Sequence, residues 1–260
     1  MSAGGSGTLL IHGFPDTPHT WDAVTPTLVD AGYRVVRPWL RGYAPSQAPS
    51  GDDYGAETLG QDVLGLVELL DQGQGVHVVG HDWGALAAYS AAIQEPDRLD
   101  TLVTLAIPHP GYWEPAGGDY WRGRHFVGLV QRRAPACFAR DDFQGVGKYT
   151  SRWSPEWDYG VEELESAKNC FAAPLGPENA LGYYRAAAAD EDTDWLTAPI
   201  STPTWSFAGT LDLLPPEDLS KLPPEAFPAG YQVITLKGGH FMHRESPDAF
   251  ADALLDILGR

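Results

Sequence analysis

The chain has 260 residues, and its 17 Lys plus Arg against 35 Asp plus Glu give a formal net charge of −18. This acidic balance excludes nucleic acid and anionic membrane surfaces as favoured partners, because both require a basic binding surface. With 43% hydrophobic residues, and with glycine and proline dispersed along the chain, the composition predicts one large folded domain or a core with an inserted subdomain.

Short apolar runs alternate with helical patterns along most of the chain. Six runs predict buried strands, at 8–11, 34–38, 76–79, 102–107, 204–208 and 231–236. Apolar residues at helical spacing predict helices at 57–70 and 247–258, and an alanine-rich helix is predicted from Trp83. Apolar strands that alternate with helices indicate a mostly parallel sheet covered by helices on both faces.

The alternation stops between Pro108 and Thr197. Aromatic residues, glycine and proline breaks and short helical patterns fill this stretch, including 161–171 and 178–189. We therefore predict an α/β core of residues 1–107 and 198–260, interrupted by a helical insertion of residues 108–197.

A turn flanked by glycines follows the third predicted strand. The segment Gly80-His81-Asp82-Trp83-Gly84 has the G-x-S-x-G spacing of a nucleophile elbow, with aspartate in the serine position. Glycines suit this spacing because a strand and a helix approach closely around a strained turn. The alternative interpretation is an ordinary turn in which Asp82 caps the following helix.

Three other segments follow predicted strands and favour the elbow. Residues 12–15, with the sequence HGFP, come after the first strand, Asp212 comes after the fifth, and His240 comes after the last. Ligands bind beyond the carboxyl ends of strands in such sheets. The chain order Asp82, Asp212, His240 matches nucleophile, acid and base. His243 is the rival base, but the glycine pair before His240 favours His240.

With these motifs the chain resembles the α/β-hydrolase superfamily, specifically its epoxide hydrolase and dehalogenase branch, whose members use an aspartate nucleophile. The resembling segments are HGFP at 12–15, RGYAPS at 41–46, GHDWGA at 80–85, the aspartate of GTLD at 212 and GGHF at 238–241. The resemblance implies an α/β-hydrolase fold, in which helices flank a mostly parallel sheet and the insertion forms a helical cap.

The resemblance also implies two further strands before the HG loop, whereas this chain begins almost at that loop. We expect either a truncated sequence or a smaller sheet at this edge. An exposed edge strand needs covering, and a partner subunit in a homo-oligomer would cover it.

Aspartate at the elbow changes the reaction that is expected. The carboxylate is already ionised at neutral pH, and its attack on a saturated carbon gives an alkyl ester. We therefore expect a substrate with an electrophilic carbon, an epoxide or an alkyl halide. In this hypothesis His240, oriented by Asp212, activates water against the Asp82 ester, and the amides of Phe14 and Trp83 stabilise the oxyanion.

The leaving group separates the two substrate classes. An epoxide opens to an alkoxide that needs a proton donor, whereas a halide leaves as a stable anion. By resemblance, Tyr184 supplies an acidic hydroxyl and His125 a second donor. Phe126, which stands where most epoxide hydrolases have tyrosine, and Tyr183, the rival of Tyr184, are expected to contact the substrate.

Hydrolysis of an epoxide to a vicinal diol is therefore the favoured function. The alternative is a haloalkane or haloacetate dehalogenase with the same triad. Phe14 in place of asparagine points away from haloalkane dehalogenases, and Trp83 cannot hold a haloacetate carboxylate as arginine would. A second alternative is a ligand-binding protein of this fold with little turnover.

No cofactor is expected. The eight histidines and the many carboxylates do not fall into the spacing of metal ligands, so we predict no metal site. The expected partners are a small hydrophobic epoxide or organohalide and water, with neither nucleic acid nor membrane. The first residues lack the pattern of a secretory signal. Cys137 and Cys170 are therefore predicted to be ordinary thiols of a cytoplasmic protein.

Overall fold

A six-stranded parallel sheet forms the centre of the computed structural model, which describes residues 5–51, 53–112, 124–190 and 193–259. In chain order the strands are β1 (Gly7–Ile11), β2 (Arg34–Val36), β3 (Val76–His81), β4 (Thr101–Leu105), β5 (Thr204–Gly209) and β6 (Tyr231–Leu236). Their order across the sheet is β2-β1-β3-β4-β5-β6, and every neighbouring pair is parallel. The prediction of a mostly parallel sheet is confirmed.

Helices cover both faces of this sheet. Those outside the β4–β5 connection are α1 (Thr25–Asp30), α2 (Ala56–Leu70), α3 (Trp83–Gln94), α10 (Pro216–Ser220), α11 (Met242–Glu245) and α12 (Pro247–Leu258). None of the helices in the described ranges is both long enough and apolar enough to cross a lipid bilayer.

The core lies in two layers because successive side chains of a strand point to opposite faces. On β1, Leu9 and Ile11 pack into one cluster with the apolar residues of α2 and α3. Leu10, between them, packs into a second cluster with Leu28 of α1 and Phe250 of α12. This alternation explains why β1 is apolar throughout, since both of its faces are covered.

The described part of the connection from β4 to β5 contains helices and no strand. It contains α4 (Arg124–Leu129), α5 (Ala134–Phe138), α6 (Arg140–Trp153), α7 (Glu162–Phe171), α8 (Gly176–Ala180) and α9 (Gly182–Ala189). We call described residues 124–197 the helical segment. Its aromatic side chains pack on Phe14, in the loop after β1, with ring centroids 5.3 Å away for Phe138 and for Tyr184. The helical segment therefore lies over the carboxyl end of the sheet.

Candidate active site

Asp82 occupies a strained turn between β3 and α3. Its φ of 52° is positive, a conformation that residues other than glycine rarely adopt. A Cβ on Gly80 would lie 2.3 Å from the Gly84 carbonyl oxygen, and one on Gly84 would lie 2.5 Å from the His12 carbonyl oxygen. Both positions therefore require glycine, and the close packing holds the Asp82 carboxylate above the end of the sheet.

The Asp82 carboxylate is held by two neighbours. The Phe14 amide donates a hydrogen bond of 2.8 Å to Oδ1, while His240 Nε2 lies 3.5 Å from Oδ2. Burial raises the pKa of Asp82, but the hydrogen bond and charge of His240, together with the Phe14 amide, outweigh it and lower the pKa. Asp82 is therefore ionised at neutral pH.

His240 lies between two carboxylates. Its Nδ1 is 3.1 Å from Oδ1 and 3.3 Å from Oδ2 of Asp212, which follows β5 as expected. Burial lowers the pKa of His240, yet the charge and hydrogen bond of Asp212, with those of Asp82, raise it to about 10. The resting site therefore contains an imidazolium ion between two carboxylates, with Nε2 facing Oδ2 of Asp82 at 3.5 Å.

A cavity of about 520 Å³ opens above these residues. The structure brings most of the predicted site residues together on its wall: Asp82, Trp83, His125, Phe126, Tyr184, Asp212 and His240. Its remaining lining includes apolar residues that no motif in the sequence marks, such as Leu86, Ile107 and Leu213. An enclosed, mostly apolar wall with a few polar groups is typical of a site for a small organic ligand.

Tyr184 lies deep in this cavity. Its ring packs edge-on against Trp83 at a centroid distance of 4.9 Å and against Phe126 at 4.8 Å. Burial, followed by the negative charge of Asp82, raises the pKa of Tyr184 well above its usual value. The Tyr184 hydroxyl therefore keeps its proton and can act as a donor. The His125 ring is 6.2 Å from the Tyr184 ring.

Tyr183 lies in a different place from the one that the sequence predicts. Its hydroxyl donates a hydrogen bond of 2.8 Å to the Arg41 carbonyl oxygen, and its ring packs against Tyr43 and Tyr54. It is absent from the cavity wall. Adjacent residues on a helix point about 100° apart. When α9 turns Tyr184 into the cavity, it therefore turns Tyr183 into the core.

The remaining candidates separate into backbone donors and buried imidazoles. The Phe14 side chain packs under the helical segment, so only its amide faces Asp82. Trp83 is the first residue of α3, where backbone N–H groups have no partner within the helix. The rival base His243 is fully buried, and its Nε2 lies 2.6 Å from the Thr20 hydroxyl, away from the cavity. Within the described ranges, no three His, Cys, Asp or Glu side chains are grouped to hold a metal ion.

The chain matches a known protein family. Residues 9–247 match the family model for the alpha/beta hydrolase fold. The chain is 40% identical over 241 residues to an epoxide hydrolase of Caballeronia sordidicola, covering 80% of this chain and 73% of that protein. It is 38% identical over 304 aligned residues to epoxide hydrolase 3 of Siraitia grosvenorii, covering 98% and 92%.

A solved structure has the same fold as this chain. Cfl2 from Burkholderia cenocepacia superposes with a TM-score of 0.82 at 25% identity, covering 98% of this chain and 88% of that one. The chain therefore belongs to the alpha/beta hydrolase superfamily, in its epoxide hydrolase branch.

Proposed function

We propose that the protein hydrolyses a small, mainly apolar epoxide to a vicinal diol through an alkyl ester on Asp82. One observation carries the proposal: an ionised aspartate, rather than serine, occupies the elbow and shares a cavity with the hydroxyl of Tyr184. The two relatives that are about two-fifths identical, both named epoxide hydrolases, support the same substrate class.

In the first step the Asp82 carboxylate attacks a carbon of the epoxide. Oδ1 accepts the Phe14 amide, so Oδ2 is the oxygen with room to attack. As the new bond from Oδ2 to carbon forms, the bond from that carbon to the epoxide oxygen breaks, and the oxygen takes both electrons. Tyr184 gives its proton to this oxygen, and His125 is the second donor on the same wall.

Ester formation prepares His240 for the second step. Asp82 loses its negative charge on alkylation, and that charge is one of the two that raise the pKa of His240. The imidazolium can then release its proton, which restores the Tyr184 hydroxyl. Neutral His240, still oriented by Asp212, is now a base for water.

Water attacks the carbonyl carbon of the ester and gives a proton to His240. The negative charge develops on the oxygen that faces the Phe14 amide, and the Trp83 amide at the start of α3 is the second donor. Collapse of this intermediate breaks the bond from the acyl carbon to the substrate oxygen, and that oxygen takes the remaining proton of the attacking water, which releases the diol. Asp82 is then a carboxylate again and His240 is the imidazolium formed when water attacked, so atoms and charges balance over the cycle.

The helical segment supplies two of the proposed catalytic side chains. Residues 108–197 form a cap over a core of residues 1–107 and 198–260, and the cap supplies Tyr184 and His125 to the cavity. Part of that range lies outside the described residues. Water and the epoxide are the only partners that the proposed reaction requires.

Dehalogenation by the same triad is the second candidate. It is favoured by the buried indole N–H groups of Trp83 and Trp153, two residues of the cavity wall, of which that of Trp153 lacks a hydrogen-bond partner among the described residues. A departing halide needs such weak donors and takes no proton. Tyr184 would then contribute little.

The test is to trap the ester. In a His240→Gln variant, alkylation of Asp82 should proceed while hydrolysis stops, so that intact-mass analysis finds the protein plus one epoxide molecule or, with an alkyl bromide, plus one alkyl group. Styrene oxide and butyl bromide are compared in parallel, and Asp82→Asn is the control that forms no adduct. A variant that stays unmodified by a substrate that the wild type turns over would contradict the covalent mechanism. An adduct from butyl bromide alone would favour dehalogenation.

A further inference from the structure

The carboxyl end of α6 lies directly against the turn that carries His240. A Cβ on Gly239 would lie 2.4 Å from the Trp153 carbonyl oxygen and 2.5 Å from Ser154 Cα. The two backbones are therefore in contact, although α6 belongs to the helical segment and His240 to the connection after β6.

Three successive amides of this turn are bound at the contact. The last carbonyls of a helix have no partner within it, and the carbonyl of Trp153, the final residue of α6, accepts the His240 amide at 2.9 Å. The Phe241 amide donates to Ser154 Oγ at 3.1 Å, and the Gly239 amide donates to Glu245 Oε1 at 2.7 Å. The amide of His240 and both neighbouring amides are thus held.

Ser154 and Glu245 connect these bonds into one unit. The Ser154 hydroxyl accepts from Phe241 and donates to Glu245 Oε1 at 2.6 Å. The same Oε1 atom also accepts the Gly239 amide. A single serine–carboxylate pair therefore ties together the two residues on either side of His240. Hydrogen bonds to a carboxylate are stronger than those between neutral groups.

The remaining sides of His240 are held by the core. His81, the residue before Asp82, donates from Nε2 to the His240 carbonyl oxygen at 3.0 Å. Asp212 holds Nδ1. The core therefore holds Nδ1 and the carbonyl of His240, whereas α6 holds its amide and packs the Trp153 ring 5.1 Å from the imidazole.

We propose that Ser154 and Glu245 are positioning residues for His240, through which the end of α6 sets the distance from the imidazole to the ester on Asp82. This inference rests on the proposed covalent mechanism. Neither residue belongs to the cavity wall, so each acts through the turn rather than on the substrate.

The two half-reactions differ in how they depend on this contact. Attack by Asp82 on the epoxide requires the elbow, the Phe14 amide and Tyr184, none of which Ser154 or Glu245 touches. Hydrolysis of the ester requires the His240 imidazole to meet a water molecule at the right distance. Displacement of a catalytic group by about 1 Å can slow a reaction by about 10²-fold.

Ser154→Ala removes the hydroxyl and leaves the Phe241 amide without its partner. We expect ester hydrolysis to slow by about tenfold or more, while the alkylation rate stays within about twofold of the wild type. In the steady state kcat and KM then fall together, and kcat/KM is unchanged, because that ratio reports the steps up to alkylation. A merely structural defect would not separate the two rates.

Single-turnover measurements of alkylation and hydrolysis on an epoxide that the wild type turns over test the proposal. Ser154→Thr retains a hydroxyl and should restore hydrolysis. Ser151→Ala is the matched control, because Ser151 lies in the last turn of α6, three residues before Ser154, but its hydroxyl pairs with Tyr159 at 2.6 Å. Hydrolysis at the wild-type rate in Ser154→Ala, or equal slowing of both steps, would overturn the inference.

Glu245→Gln is a second variant that tests the same proposal if Ser154→Ala does not fold. It retains an acceptor oxygen without the charge, so hydrolysis should slow by a few fold relative to alkylation, and an unchanged ratio of the two rates overturns the inference. If the wild type itself forms no ester, the proposed function fails. If the wild type forms the ester and both variants keep its ratio of rates, only the role of Ser154 and Glu245 fails.

Discussion

Removing the Tyr184 hydroxyl tests whether the cavity is built to open an epoxide. In Tyr184→Phe the ring contacts with Trp83 and Phe126, at 4.9 Å and 4.8 Å, are retained, and only the proton donor is lost. One lost donor to a developing oxyanion slows a reaction by about 10²–10³-fold. Because His125 remains on the same wall, we expect the lower limit, about 10²-fold or about 2.7 kcal/mol of transition-state stabilisation.

The assay is the single-turnover rate of alkylation, measured by rapid quench with styrene oxide and, in parallel, with butyl bromide. The halide needs no proton, so its rate should change by about threefold at most if the hydroxyl acts as an acid. Tyr183→Phe is the matched control: it deletes the neighbouring hydroxyl, which binds the Arg41 carbonyl in the core. That variant should lose about 1 kcal/mol of stability and keep its alkylation rate.

Alkylation of the epoxide at the wild-type rate in Tyr184→Phe would refute the role of this hydroxyl. Equal slowing in Tyr183→Phe would also refute the reasoning, because it would show that disturbance of α9, rather than loss of a donor, controls the step.

Three further predictions concern stability. Asp212→Asn removes a negative charge that stabilises the His240 imidazolium, whose pKa of about 10 in the folded protein lies above the ordinary 6.5. The variant should therefore lose stability fully below pH 6.5, and the loss should fade as the pH rises through about 10. Thermal melts over this pH range measure it. Arg244→Met removes the ion pair of 2.7 Å to the buried carboxylate of Asp16. Because that carboxylate then stays buried without the arginine, the free energy of unfolding in urea should fall by about 3 kcal/mol. Ala106→Gly relieves a φ of 70° and should raise the same free energy by about 1 kcal/mol.

Each of these has a clear contrary result. A difference in melting temperature between wild type and Asp212→Asn that does not change with pH would contradict the charged state of His240. An Arg244→Met variant as stable as the wild type would show that its buried ion pair contributes nothing net. A loss of stability in Ala106→Gly would show that the turn after β4 carries no strain that glycine relieves.

Much of the core could be predicted from the sequence because its signals are local. All six predicted strands are present. The fully buried strands β1, β3 and β4 are mainly apolar because both of their faces are covered. The final helix spans Pro247–Leu258, as predicted, with proline in its first turn and Gly259 just after its end. β2 ends at Val36, before the predicted 38, where Pro38 has no amide hydrogen for a ladder.

Part of the site could also be predicted from local patterns, and the rest depends on packing. The glycine spacing around Asp82 and the positions of Asp212 and His240 after strands are local patterns, and the structure brings the three side chains together. The choice between Tyr183 and Tyr184 depends on how α9 is rotated against the core, which no local pattern records. The contact between Ser154 and the turn of Phe241 joins residues 87 positions apart, so it emerges only from the packing of α6.

In the proposed mechanism, water attacks the ester on Asp82 rather than the substrate itself. Many turnovers of an epoxide in water labelled with heavy oxygen, followed by mass spectrometry of the peptide that contains Asp82, test it directly. We expect labelled oxygen to accumulate in the Asp82 carboxylate, because each hydrolysis exchanges one of its oxygens. Abundant diol with an unlabelled Asp82 would contradict the covalent mechanism.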